Sequence, residues 1–113
     1  IRQRFVEARK AALDSLRRAK AAGVGIVLGT DAGHGLLWED AAFAVEAGVK
    51  PVDVLAMLTE NAAAMLEMTQ EIGTVEAGKL ADLIAVDGNP VEDIRALSRV
   101  RFVMRGGAIV KRD

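Results

Sequence analysis

Val24-Gly25-Ile26-Val27-Leu28, followed at once by Gly29-Thr30-Asp31-Ala32-Gly33-His34-Gly35, decides how the rest of this 113-residue chain is read. A short, β-branched, nearly continuous apolar run between glycines suits a strand buried on both faces, where an edge or surface strand would alternate apolar and polar. Doubly buried strands are usually parallel, and parallel strands need helical crossovers, so the expected fold class is α/β. The polar, glycine-rich loop then falls at the carboxyl end of the strand, which is where α/β proteins bind ligands.

The flanks agree. Upstream, Arg2 to Ala22 reads as a helix, with Phe5, Ala8, Ala12, Leu16 and Ala19 on one face, Arg and Lys on the other, and Gly23 as a left-handed stop. Downstream, a helix is expected from Leu37 to Ala47, ending at Gly48, and a third opens at Pro51, whose ring suits the first helical position. A break near Thr59 leaves that residue to cap a further helix through Ala62, Ala63 and Leu66. From Gly73 the character changes. Gly73 to Lys79 reads as turns, Leu83 to Val86 as a strand, and Asp87-Gly88-Asn89-Pro90 as a turn. A short helical segment over Val91 to Leu97 precedes a hairpin from Val100 to Lys111, closed by Gly106-Gly107.

Composition removes whole classes of chemistry. With no cysteine, disulfides, thiolate metal sites and cysteine nucleophiles are excluded, and with one histidine no imidazole-built metal centre forms within one copy. Fifteen Lys and Arg against sixteen Asp and Glu leave a net charge of -1, which offers no electrostatic reason to expect nucleic acid or an anionic membrane as a partner. No apolar run approaches the ~20 residues that span a bilayer. A soluble, cytoplasmic protein is expected. Twenty alanines and 4% aromatics suit closely packed helices with a little sheet. Because residue 1 is Ile, the chain is expected to follow processing or a tag, or to be the tail of something longer.

Any chemistry centres on Asp31. A carboxylate at the mouth of a buried strand can ligate a metal or act as a general base, and it can equally be a turn residue bonded to nearby backbone. His34 can be a ligand, a proton shuttle or an ordinary loop histidine, the last being the usual state of a lone His. The glycines do not make a phosphate loop, since neither a Lys-Ser/Thr pair nor the G-x-G-x-x-G spacing is present. Lys79 and Asp82 read as a solvated turn and the carboxylate that pins it. Trp38 and Glu39 read as core or pocket rim, and Arg17, Arg18 and Arg112 as solvated charges.

Taken together, Gly29-Thr30-Asp31-Ala32-Gly33, His34-Gly35, Val45-Glu46-Ala47-Gly48-Val49 with Pro51, Thr59-Glu60-Asn61-Ala62-Ala63 and Ile72 to Leu83 resemble the amidohydrolase superfamily. The likeness is greatest to the branch of imidazolonepropionases and prolidase-like dipeptidases, and it covers essentially the whole chain as the family's C-terminal part. The resemblance implies a metal-dependent hydrolase on a (β/α)₈ barrel with a small accessory β-sandwich. Residues 1–70 would be the barrel's end, with Arg2 to Ala22 as its last helix but one and Val24 to Leu28 as its eighth strand. Residues 71–113 would be the C-terminal strands of the sandwich. Asp31 matches the family's strand-eight aspartate, which touches the metal and takes the proton of the attacking water, and His34 becomes a candidate substrate contact. The family's His-x-His pair, its carboxylated lysine or glutamate and its two further histidines have no counterpart in this chain.

The resemblance therefore implies hydrolysis of an amide or cyclic C–N bond in a small or dipeptide-like substrate, with a divalent metal, zinc first, in the complete enzyme and none in the isolated chain. The alternative is a stand-alone, non-catalytic module that self-associates or completes a barrel with another chain, because exposed strand edges and apolar helix faces do not stay in water.

Overall fold

The computed structural model describes residues 1–31 and 33–113, so Ala32 of the expected ligand loop lies outside the described residues. The elements run α1 (Arg2–Ala21), α2 (Leu37–Glu46), α3 (Pro51–Leu58), α4 (Glu60–Met65), β1 (Leu83–Val86), a 3₁₀ helix (Ile94–Ser98), β2 (Val100–Arg105) and β3 (Ala108–Arg112). This is an α/β chain with a small antiparallel sheet.

Local signals place most of these boundaries. Helices α1 and α2 stop short of Gly23 and Gly48, both at positive φ, and Pro51 opens α3. The sheet has the order β1-β2-β3, with Ile84 opposite Val103 and Val103 opposite Lys111. Gly106 and Gly107 take φ of +55° and +81°, the two positive values that a primed hairpin turn requires. The turn is tied back to the start of β1, because Asp82 Oδ1 accepts from the Gly106 amide at 2.6 Å and the Gly107 amide donates to the Ala81 carbonyl at 3.1 Å. Asp82 thus pins a turn, but the hairpin turn at Gly106-Gly107 and not the expected one at Lys79. Nor is Lys79 solvated: its side chain is 15% exposed, donates to the Thr74 hydroxyl and pairs with Glu76 at 2.9 Å. The Thr74 hydroxyl, and after it the Lys79 ammonium, hold the Glu76 carboxyl below the usual carboxylate range.

Ala41 and Ala44 of α2, Val49, Val54 and Met57 of α3, and Ile94 form the buried core, with Leu16, Ile26, Leu28, Leu55 and Leu97 packed around it. Two alanines facing the 3₁₀ helix let it approach α2 closely, so Ile94 fills space that larger side chains would occupy. The expected face of α1 is only half used. Leu13 is buried and Leu16 half-buried, while Phe5 remains 72% exposed at the end that projects beyond the core. Arg17 is not simply solvated. Its Nε donates to the Ala47 carbonyl at 2.9 Å, satisfying an orphan acceptor at the end of α2 and favouring that helix's negative pole. Lys20 reaches Asp53 of α3 at 3.0 Å.

Three further expectations change. Val24 to Leu28 runs straight, without turn or bend, but joins no ladder among the described residues. A parallel strand exists only beside another strand, and β1 to β3 pair among themselves. Thr59 does not cap α4. Its hydroxyl donates to the Leu55 carbonyl at 2.8 Å, back into the helix it leaves. The helical segment after Pro90 starts later than expected, at Ile94, because the Asp93 carboxylate accepts from the Arg95 amide at 3.0 Å and caps it there.

Helix α4 ends in a six-to-one and five-to-two bond pair, from Met68 N to Ala63 O at 2.9 Å and from Glu67 N to Ala64 O at 3.1 Å. That places Glu67 at φ +58°, where a side chain is strained. Glu67→Gly is accordingly expected to raise stability by about 0.5–1 kcal/mol, the relieved strain exceeding glycine's greater freedom when unfolded. The midpoint of urea unfolding measures it, and a lower midpoint contradicts this account.

The chain leaves more of itself in water than its mass requires. Its accessible area is 8181 Å², whereas a compact monomer of this size exposes roughly 6,000 Å². Its radius of gyration, 15.4 Å, likewise exceeds the ~13 Å of a compact domain of this length.

Candidate active site

The straight run Val24 to Leu28 ends in Gly29, Thr30 and Asp31, and Asp31 is exposed. Ile26 and Leu28 pack their side chains against the core. Two hydrogen bonds then attach the run's backbone to the helices: Leu28 N donates to the Met57 carbonyl of α3 at 3.3 Å, and Asn61 Nδ2 of α4 donates to the Ile26 carbonyl at 3.0 Å. The carboxylate therefore stands in solvent at the end of a segment fixed from behind. In chemical terms it can accept a proton or supply oxygen to a hard or borderline cation.

His34, also exposed, follows in the loop before α2. Among the described residues no group of three or more His, Cys, Asp or Glu side chains stands close enough to hold a metal ion. Zinc normally takes three or four protein ligands. Asp31 is thus a single donor of suitable chemistry and not a complete site.

Two clefts lie elsewhere. One, of about 770 Å³, runs between α1, α2 and the 3₁₀ helix and is lined by Arg9, Trp38, Phe43, Glu46, Asp93 and Arg95 among others. Trp38 is half-buried there and Glu39 is exposed at the same cleft, so both serve as pocket lining. The cleft is spanned by the chain's own charges. Arg9 donates to Glu46 from both terminal guanidinium nitrogens and lies 5.2 Å over the Phe43 ring, and this hydrogen-bonded guanidinium holds the Glu46 carboxyl below its usual range. The other, of about 530 Å³, lies between α4 and β1 and is mostly apolar, with Leu66, Val75, Leu80 and Ile84 on its walls. Neither is lined by Asp31 or His34.

Asn61 escaped the reading of candidate residues although it lies inside Thr59-Glu60-Asn61-Ala62-Ala63. An amide side chain in the first turn of a helix, set among alanines too small to shield it, is the local signal. Its partner lies 35 residues away.

Residues 6–110 match the family described as "Amidohydrolase family". An imidazolonepropionase of Shouchella clausii (strain KSM-K16) is 41% identical over 63 residues, which make up 53% of this chain and 14% of that protein. An ochratoxinase of Aspergillus niger is 35% identical over 105 residues, or 88% of this chain and 22% of that protein. Among solved structures, a Xaa-Pro dipeptidase with bound methionine in the active site superposes with a TM-score of 0.84 at 39% identity, covering 88% of this chain and 25% of that one. The chain spans 25% or less of the length of each of these three. With nearly its whole length in the family match, this chain belongs to the amidohydrolase family.

Proposed function

We propose that this chain is the C-terminal part of a metal-dependent amidohydrolase that cleaves an amide or cyclic C–N bond in a small, dipeptide-like substrate, with Asp31 as its metal ligand and proton acceptor. The observation that carries the reading is the exposed carboxylate at the end of a straight apolar run anchored from behind by α3 and α4. On this reading residues 1–70 are the end of a (β/α)₈ barrel, with Val24 to Leu28 as its eighth strand. Residues 71–113 are the C-terminal strands of an accessory β-sandwich. The excess accessible area supports it, since a barrel's last units cannot bury their faces without the remaining strands and helices.

The donor set fits a divalent metal in kind. A carboxylate oxygen suits zinc, manganese or iron, and the further ligands that zinc needs would come from the remainder of the protein. When bound, the metal would lower the pKa of a water towards neutrality and polarise the scissile carbonyl. Asp31 Oδ then takes the proton that the water loses as it attacks, and hands it to the leaving nitrogen, which departs as a neutral amine. His34, on the same loop and open to solvent, is the candidate substrate contact on this reading. A cytoplasmic location goes with this reading.

The same uncovered surface favours a second reading, a non-catalytic module completed by a second copy or another chain. One assay separates the two. The full-length protein is incubated with Xaa-Pro dipeptides, methionyl-proline first, before and after chelation. Hydrolysis that disappears with the chelator and returns with zinc or manganese is expected. Turnover indifferent to chelation overturns the metal-dependent reading, and no metal retained with no turnover favours the module.

A further inference from the structure

The cleft between α1, α2 and the 3₁₀ helix already holds one organic cation, its own. The Arg9 guanidinium lies 5.2 Å over the Phe43 ring and donates to the Glu46 carboxylate from both terminal nitrogens. Arg9 and Glu46 neutralise each other, and the rest of the lining stays negative, with Glu39, Asp40, Glu92 and Asp93 against Arg95 alone. Among the described residues no ion pair engages any of these five side chains. Trp38, half-buried, lines the same cleft and adds a second aromatic ring to that of Phe43. At about 770 Å³ the space falls in the range of small-molecule pockets, ~300–1,000 Å³. Aromatic ring and carboxylate are thus present twice over, and the chain's own guanidinium uses one set.

We propose that this cleft binds an organic cation carrying a guanidinium or alkylammonium group, seated on the Trp38 ring and held by the carboxylates of Glu39 and Asp40. An aromatic face attracts such a cation, tryptophan most strongly, and the attraction grows as water is excluded. The excess of carboxylates sets the sign of the ligand: an anion would meet a lining that repels it, and Arg9 is already committed to Glu46. Neither Asp31 nor His34 lines the site, so the inference goes beyond their reading and does not rest on it. Completing the barrel leaves the cleft open. The faces that further structure covers are the apolar ones, whereas unpaired carboxylates are costly to bury and keep their side of the molecule in water. On the barrel reading α1 and α2 belong to the outer ring of helices, and a cleft between them lies away from the strand ends.

The test is calorimetric titration of the full-length protein with two probes, agmatine as a free cation and N-acetyl-arginine amide as the side chain of a peptide. Saturable binding of at least one probe at millimolar concentration is expected, weakening as salt is raised; the probe that binds more tightly tells the free source from the peptide source. Trp38→Ala should weaken it ~2–30-fold, the range of a cation on an aromatic face, and Trp38→Phe, which keeps a ring, should recover part of the loss. Glu39→Gln combined with Asp40→Asn should cost a similar ~2–30-fold and flatten the salt dependence. Asp31→Asn should leave binding unchanged. Binding that disappears in Asp31→Asn belongs to that carboxylate and overturns the proposal. So does binding indifferent to Trp38→Ala and to the double variant, or an equal loss in Trp38→Ala and Trp38→Phe that follows a fall in melting temperature. Binding by this chain alone, with none by the full-length protein, means that the complete fold covers the cleft, and it overturns the proposal as well.

Discussion

Asp31→Asn in the full-length protein is expected to lower kcat by ~10²–10⁴-fold, the range associated with loss of a general base. The substitution keeps the side chain's size and removes both its charge and its capacity to accept the water's proton. Two features make the change clean. The substitution is isosteric, so it asks nothing of the packing around residue 31, which is exposed in this chain. The segment's anchors, at the Ile26 carbonyl and the Leu28 amide, are backbone groups that the substitution leaves in place. Steady-state kinetics on methionyl-proline, together with thermal unfolding of the metal-stripped proteins, provide the check: lost turnover with an unchanged melting temperature is the expected pair. Near-normal turnover would remove Asp31 from the chemistry.

Gly73→Ala is expected to be the most damaging single-methyl change to the fold. Gly73 sits at φ +98°, and a Cβ there would lie 2.7 Å from Ala63 Cβ and 3.4 Å from both Glu60 Cα and the Thr59 carbonyl oxygen. None of these is the far end of a flexible side chain. Ala63 is buried on α4, and the other two atoms are backbone at the break between α3 and α4. Left-handed strain of ~1–2 kcal/mol combines with overpacking of ~1–3 kcal/mol, so a loss of about 2–4 kcal/mol is expected. In a domain of about 100 residues that lowers the melting temperature by roughly 10–20 °C. Thermal unfolding by circular dichroism measures it, with Ala63→Gly as partner: removing the facing methyl should recover the overpacking share and leave the backbone strain. A Gly73→Ala protein as stable as its parent would mean that the turn after α4 is free to move away.

Whatever is specified within a few residues can be read along the chain. Helices α1, α2 and α3 lie within a residue of their expected limits because Gly23, Gly48 and Pro51 act locally, and Gly106-Gly107 announces its own hairpin. Relations between distant residues are another matter. Val24 to Leu28 has the composition of a buried strand, but a ladder also needs a neighbour. Thr59 has two acceptable uses for its hydroxyl, forward as a cap or back to Leu55, and only the geometry of the break decides between them. The face of α1 that docks is chosen by where α2 ends, which is why Leu13 and Arg17 are engaged while Phe5 is not. At the site, the carboxylate could be picked out from its place after the apolar run. Its supports could not, since Met57 and Asn61 meet the run from 29 and 35 residues away.

The uncovered surface also bears on how this chain melts. Denaturant sensitivity and the heat-capacity increment both scale with the area newly exposed on unfolding. A chain already showing 8181 Å² to solvent has roughly a fifth less to expose than a compact domain of equal mass. Its own unfolding curve is therefore expected to be shallower than that of a compact domain of equal mass, by roughly a fifth in its dependence on denaturant. On the reading proposed above, structure that covers those faces steepens the curve, so urea unfolding of the full-length protein and of this chain alone should differ in slope.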